Sequence, residues 1–336
     1  MEPPVGFVER LTALCAVDSP TGDLAGLGRS ADLLVGWARA DGLEAEVRDT
    51  ADGPLVIVST RGSGRGRTLL IGHHDTVYPA GTAGARPVTR RDDTLLGPGV
   101  ADMKGGLLVG LFALAELARD SAGAHGAVEL WIIPDEEARS VEPSCLDDWR
   151  DADRAICLEC GRADGAIVTT RMACTWLTLE AEGRDAHAGT ERDAGRSALM
   201  ALAREGLRIE AEIHAARPGM QATITQLHAG IGKNTVPGRA TATVDLRAHT
   251  NEDLQWAVEQ VGAFAAEALA VLADVGAVAR ETIAAGASDG SWASSIGVPT
   301  IDGLGPIGGG DHGPDEWIDA LSIAPRIEAV RRLCTS

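Results

Sequence analysis

The sequence predicts an α/β protein interrupted by a small inserted α+β domain. Short apolar runs at 69–77, 128–134 and 154–159 read as buried strands, and segments with apolar residues at helical spacing surround them. The insert announces itself by a change of period. Residues 175–182 (Thr-Trp-Leu-Thr-Leu-Glu-Ala-Glu) alternate apolar and polar positions, as in an antiparallel strand with one solvated face.

Residues 5–17 and 24–41 carry apolar positions at helical spacing, the second through Leu24, Leu27, Leu33, Leu34, Trp37 and Ala38. Gly42 ends that helix, as glycine commonly does. Strand-like runs follow at 44–48 and 54–60, then a Gly/Arg-rich turn at 61–66. The next strand, from Leu69, ends abruptly in His73, His74 and Asp75. A loop over 78–101 leads through Asp102 into a strongly apolar helix at 106–119. The strand at 128–134 ends in Asp135-Glu136-Glu137, and the one at 154–159 ends in Glu159. Within the insert come a helix near 194–216, strands near 220–228 and 235–247, and a helix from Asn251. Buried character returns at Ile283–Gly290 and 298–302, followed by a glycine-dense loop containing His312 and a last helix over 321–333.

Composition excludes several functions. With 30 Lys+Arg against 49 Asp+Glu the formal charge is −19, which repels nucleic acid and anionic membrane surfaces. No apolar run approaches a membrane span, and the first residues lack the pattern of a signal peptide. The 6 cysteines are irregularly spaced, which suits a reducing cytoplasm better than a disulfide framework. Cys157 and Cys160 lie inside an apolar run rather than at a helix start, so redox chemistry is not expected.

What remains is the chemistry at the strand ends. Ligands collect beyond the carboxyl ends of strands in open α/β sheets. His73, Asp75, Asp102, Glu136, Glu137 and Glu159 all fall at such ends or at a loop-to-helix junction. Taken alone, Asp102 reads equally well as a helix N-cap. Repeated at one sheet edge, imidazole and carboxylate donors point to a metal ion: zinc first, then cobalt or manganese.

These segments in order resemble the dizinc exopeptidase and amidohydrolase family of glutamate carboxypeptidases, acetylornithine deacetylases, succinyl-diaminopimelate desuccinylases and aminoacylases. The resemblance rests on His-x-Asp-Thr-Val at 73–77, Gly-x-x-x-Asp-Met-Lys-Gly-Gly at 98–106, Asp-Glu-Glu at 135–137 and Glu159. It continues with Gly-Arg-x-Ala-His-Ala-Gly at 183–189, Asn-x-Val-Pro at 234–237, Asp-x-Arg at 245–247, Ser-Asp-Gly at 288–290 and His-x-x-Asp-Glu at 312–316. The segment Gly303–His312 is most similar to the glutamate carboxypeptidase branch.

The resemblance implies a zinc-exopeptidase-like catalytic domain, with a mixed, mostly parallel sheet between helices, formed by residues 1–170 and 265–336. Residues 171–264 would be a shortened lid and dimerisation domain. It implies two zinc ions per chain: His73 and Glu159 on one, Glu137 and His312 on the other, Asp102 bridging. Asp75 would orient His73, Glu136 would be the general base, and His187 would stabilise the oxyanion, often from the partner subunit. Asn234 and Arg247 would hold a substrate carboxylate, a task suited to the planar guanidinium. The remaining histidines, His74 among them, read as surface or structural residues.

The implied activity is metal-dependent cleavage of the amide of an N-acyl or peptidyl amino acid bearing a free carboxylate. The alternatives are a biosynthetic N-acyl-amino-acid deacylase and, since no ligand is lost, less readily a silent metal-binding homologue. Three departures stand out. A few tens of residues are expected to be missing near 264, which puts the implied homodimer, and His187 acting in trans, in question. Gly286-Ala-Ser288 replaces a commoner glycine run, and Cys160 stands where proline is frequent and reads as space-filling.

Overall fold

The computed structural model describes residues 2–120, 123–138, 143–161, 173–217, 219–248, 252–253, 255–257, 279–284 and 289–335. The chain divides into two compact units, Met1–Thr170 with Ser288–Ser336, and Arg171–Ala287. The sequence placed the return to the first unit at 265. It lies instead at 288, because residues 279–284 pair antiparallel with residues 176–181 of the second unit. A six-residue strand carries no signal of which sheet will accept it, and this one makes the sheet of the second unit four-stranded. The expected deletion near 264 falls outside the described residues, as does most of the helix from Asn251.

The first unit carries strands β1 (Glu44–Thr50), β2 (Gly53–Arg61), β3 (Arg67–His73), β4 (Thr89–Arg91), β5 (Thr94–Leu96), β6 (Ala127–Ile133) and β7 (Arg154–Cys157). The second unit holds β8 (Ala173–Glu182), β9 (Ala186–His187), β10 (Gln221–Ala229), β11 (Thr235–Val236), β12 (Arg239–Ala248) and β13 (Ala279–Ala284). Back in the first unit come β14 (Thr300–Ile301), β15 (Gly308–Gly309) and β16 (Trp317–Asp319).

The main sheet runs β1-β2-β6-β3-β7-β14. Its β6, β3, β7 and β14 are parallel, while β1 and β2 join antiparallel at one edge. Successive residues of its strands enter different cores, as the two-residue period requires. Val56, Val58, Leu70, Leu130 and Ile132 join a core with the helices Phe7–Cys15, Leu24–Ala40, Gly105–Arg119 and Ala320–Leu333. Leu55, Ile57, Leu69, Ile71, Trp131 and Ile133 pack instead with Leu146, Trp149 and Ala293. The sheet is therefore covered on both faces, which is why its strands read as continuous apolar runs.

The helix Gly105–Arg119 is buried along almost its whole length, and each fully buried leucine contributes roughly 1.5–3 kcal/mol relative to exposure. Its start presses against the end of β7: a Cβ at Gly106 would lie 1.9 Å from the Leu158 carbonyl oxygen. Only glycine fits there, so Asp102 and Glu159 are brought together by a close approach of backbones.

A small sheet, β15-β16-β5-β4, completes the unit. Trp317 pairs with Leu96 across β16 and β5. The end of β5 runs into the loop carrying Asp102, and β16 begins where the loop carrying His312 ends.

The second unit is an antiparallel sheet of order β10-β12-β8-β13. The helix Ala198–Ala216 packs on it through Leu202, Ile209 and Ile213, against Leu177, Leu179, Val244 and Leu246. Ser197 caps this helix by accepting a hydrogen bond from the Met200 N–H at 3.2 Å.

Candidate metal centre

The three adjacent parallel strands β6, β3 and β7 deliver their carboxyl ends side by side. His73 closes β3 and lies opposite Ile133 of β6, so Glu136 and Glu137 follow one strand end and Glu159 the next. Asp102 comes from the turn before the buried helix and His312 from the loop before β16. His312 adopts the left-handed backbone conformation, φ 61°, uncommon for a residue with a side chain.

Two donor groups result. In the first, His73 Nε2 lies 3.1 Å from Asp102 Oδ1 and 3.7 Å from Glu159 Oε1. In the second, His312 Nε2 lies 3.0 Å from Asp102 Oδ2 and 3.2 Å from Glu137 Oε2. Asp102 belongs to both, one oxygen to each, and within each group the candidate ligand atoms lie within 4.8 Å of one another. Glu136 stands beside them without joining either, its Oε2 3.9 Å from His73 Nε2. Glu137 Oε1 is buried without a hydrogen-bond partner. A buried carboxylate oxygen left unsatisfied among other carboxylates fits a divalent cation, and nitrogen and oxygen donors of this kind suit zinc.

Asp75 is fully buried and ties the groups together from behind. Its Oδ1 lies 3.2 Å from His73 Nδ1, and its backbone carbonyl lies 3.1 Å from the same nitrogen. That assigns the proton to Nδ1 and leaves Nε2 as the ligand atom. The same carboxylate accepts the N–H groups of Glu136 and Glu137, both at 3.1 Å, and the Thr21 hydroxyl at 2.6 Å. Thr21 carried no sequence signal, because its role depends on a contact 54 residues away. Glu316 was visible only as part of the motif at 312–316. It proves to be buried, accepting the N–H groups of Gly99, Ala101 and Asp102 at 2.8–3.0 Å.

Charge packs densely here. Burial, reinforced by Asp289, Glu137 and Asp102 and only partly offset by His73, pushes Glu136 up to about 8. Hydrogen bonds to Asp102 and Glu137 push His312 up to about 10. Burial would lower His73, but its bonds to Asp102 and Asp75 outweigh that and hold it well above its ordinary value. Both imidazoles therefore carry protons near neutral pH until a cation displaces them. Cation uptake near neutral pH is expected to release protons, and the apparent affinity should rise with pH until His312 is neutral, near 10. Titration calorimetry in two buffers of different ionisation enthalpy checks this; heats independent of buffer would contradict it.

His187, Asn234 and Arg247 lie in the second unit. His187 is exposed and pairs with Thr235 across β9 and β11. Its Nδ1 accepts the N–H groups of Gly189 and Thr190 at 3.2 and 3.1 Å, so the ring presents Nε2–H as a donor. The Asn234 carbonyl accepts the Ala188 N–H at 2.8 Å, which brings Asn234 beside His187. Arg247 lies on β12 and makes a two-point contact with Asp245, Nε to Oδ1 at 2.8 Å and Nη2 to Oδ2 at 3.1 Å.

Of the other histidines, His74 is buried, its Nε2 donating to the Pro54 carbonyl at 3.1 Å. Burial, outweighing the attraction of Asp75, lowers it to about 4. It is structural. Cys160 is also buried, its Sγ 3.6 Å from the Asp311 carboxylate.

A family model described as peptidase family M20/M25/M40 matches residues 69–336. The chain belongs to that family. It is a hydrolase of amide or peptide bonds, and the family is metal-dependent. Carboxypeptidase G2 of Pseudomonas sp. (strain RS-16) is 25% identical over 365 residues, covering 97% of this chain and 88% of that protein. The aligned span exceeds the 336 residues here, so that relative carries segments with no counterpart in this chain. Succinyl-diaminopimelate desuccinylase of Stenotrophomonas maltophilia is 25% identical over 318 residues, covering 80% of this chain and 83% of the relative. An M20 family metallo-carboxypeptidase of Sulfolobus solfataricus shares the fold, with a TM-score of 0.75 at 16% identity and 99% coverage of both chains. Among the described residues no helix is long and apolar enough to cross a membrane.

Proposed function

We propose that the protein is a zinc-dependent carboxypeptidase-like hydrolase that cleaves the amide of an N-acyl or peptidyl amino acid with a free carboxylate. The observation that carries this reading is the shared Asp102, one oxygen toward each histidine, with the Glu136 carboxylate 3.9 Å from His73. His73, Asp102 and Glu159 would hold one cation, and Asp102, Glu137 and His312 the other. Two cations so bound acidify a water molecule and polarise the scissile carbonyl.

The chain's own groups do the rest. Glu136 takes a proton from the attacking water at its carboxylate and delivers it to the leaving nitrogen. Asp75 keeps His73 oriented and pins the backbone of both glutamates. His187, with Nδ1 occupied by two backbone donors, offers Nε2–H to the oxyanion. Asn234 and Arg247 bind the substrate carboxylate, and Asp245 preorganises the guanidinium until the substrate competes for it.

Similarity to carboxypeptidase G2 along almost the whole chain favours a C-terminal amino acid as the leaving group, and the resemblance of residues 303–312 to the glutamate carboxypeptidase branch makes glutamate the first to try. Similarity to a desuccinylase supports N-acyl-amino-acid deacylation as a second reading. The irregular spacing of the 6 cysteines favours a reducing compartment as the place of work.

The test offers the zinc-loaded protein a panel of N-acyl amino acids and C-terminal glutamate amides, each also with its α-carboxylate blocked as an amide. Chelator-sensitive release of the amino acid from free carboxylates, with the blocked forms resistant, is the expected result. Cleavage that instead requires a free amino terminus would replace the carboxypeptidase reading with an aminopeptidase.

A further inference from the structure

Asp102 and His312 are supplied by separate loops 210 residues apart in sequence, yet their side chains meet at 3.0 Å. What holds the loops in register is a buried carboxylate that ligates nothing in either donor group. Glu316 Oε1 accepts the N–H groups of Ala101 and Asp102 at 2.8 and 3.0 Å. Its Oε2 accepts the Gly99 N–H at 2.9 Å and the Tyr78 hydroxyl at 2.7 Å. Its own backbone carbonyl accepts the Gly97 N–H at 3.1 Å.

The chain's single tyrosine extends the tie to the other loop. The Tyr78 hydroxyl also lies 3.0 Å from the carbonyl oxygen of Gly313, the residue after His312. Arg86 donates to that same carbonyl at 3.0 Å and stacks its guanidinium on the Tyr78 ring, 4.7 Å from the centroid. His73 and Glu159 need no such device, because they sit at the ends of paired strands. His312, on a loop with a left-handed backbone, has no strand to fix it.

We propose that Glu316, with Tyr78, is a positioning residue that sets cation affinity by holding the Asp102 and His312 loops, most strongly at the site formed by Asp102, Glu137 and His312, where both loops supply ligands. The inference rests on the reading above that both donor groups bind divalent cations.

Glu316→Gln keeps the size and removes one acceptor. Whichever way the amide turns, at least one backbone N–H of the Asp102 loop loses its partner. Tyr78→Phe removes a single donor and leaves the carboxylate in place. Both variants and the wild-type chain are titrated with zinc against a chromophoric chelator, and thermal melts are recorded without metal.

The wild type is expected to show two sites. In Glu316→Gln one of them should lose roughly 10- to 100-fold in affinity while the other, which shares only Asp102, loses less, as for outer partners of metal ligands generally. Activity lost at limiting zinc should return in excess zinc. Tyr78→Phe should move the same site in the same direction by less, and it carries the test if Glu316→Gln does not fold.

Two sites with unchanged affinities in the folded variants would overturn the positioning role alone, as would an equal loss at both sites together with a lowered melting temperature. Fewer than two sites in the wild type would overturn the dinuclear reading, and this inference with it.

Discussion

Exchanging Glu136 for Gln is expected to lower kcat by roughly 10²- to 10⁴-fold, the usual contribution of a positioned general base. The substitution is nearly isosteric, and Glu136 belongs to neither donor group, so the metal content should stay at the wild-type level. KM should change little, because the carboxylate acts on the proton of the water rather than on the substrate's carboxylate. The base is well placed for the task. Held up to about 8 by burial and its acidic neighbours before any cation arrives, it is poised to exchange protons once cations offset that repulsion. Steady-state kinetics with elemental analysis of the same preparation decides the matter. Retained turnover would move the base elsewhere, and lost metal would make Glu136 a ligand.

The second large effect is expected at Asp75. Its carboxylate lies against His73 Nδ1 and accepts from Glu136, Glu137 and Thr21. Asn in its place keeps one acceptor oxygen and turns an NH₂ group toward donors. The Thr21 hydroxyl can rotate to accept, whereas the two backbone N–H groups cannot. Each buried donor left unsatisfied costs about 1–3 kcal/mol, and disoriented ligands cost roughly 10- to 100-fold in metal affinity. Asp75→Asn should therefore bind zinc more weakly on both sides of the centre and melt at lower temperature, unlike Glu136→Gln. Chelator competition and a thermal melt on the metal-free variant separate the two contributions. Unchanged zinc affinity would restrict Asp75 to a structural role.

The two substitutions probe different layers of one arrangement. Glu136 faces the reacting atoms from beside the ligands. Asp75 lies beneath, where one carboxylate sets the tautomer of a histidine on β3 and the backbone of two glutamates after β6. Because those strands are hydrogen-bonded neighbours, a single buried group can serve both. The placement of ligands on rigid strand ends makes such economy workable.

Much of this was legible in the amino-acid order. Apolar runs broken by His-His-Asp, Asp-Glu-Glu and Glu159 mark strands whose ends carry donors, since a chain buried on both faces can place polar side chains only where the strand stops. The period-two stretch at 175–182 marks the antiparallel insert for the same kind of reason. Local pattern did not say where the insert ends. Strand β13, with Arg280, Glu281 and Thr282 between apolar residues, shows no period that assigns it to either unit, and only its pairing with β8 does so.

Nor did local pattern disclose what holds the centre together. Thr21 beneath Asp75, Tyr78 against Glu316, and the meeting of Asp102 with His312 are contacts between residues 54 to 238 positions apart. The sequence by itself determined the element types, the candidate donor residues and the family's order of motifs, because these depend on residue type and spacing. The tertiary structure alone decided which oxygen faces which histidine, and which buried groups keep them there. Those depend on strand order in the main sheet and on the pairing of β5 with β16, and a hydrogen bond across a fold leaves no periodicity in the chain.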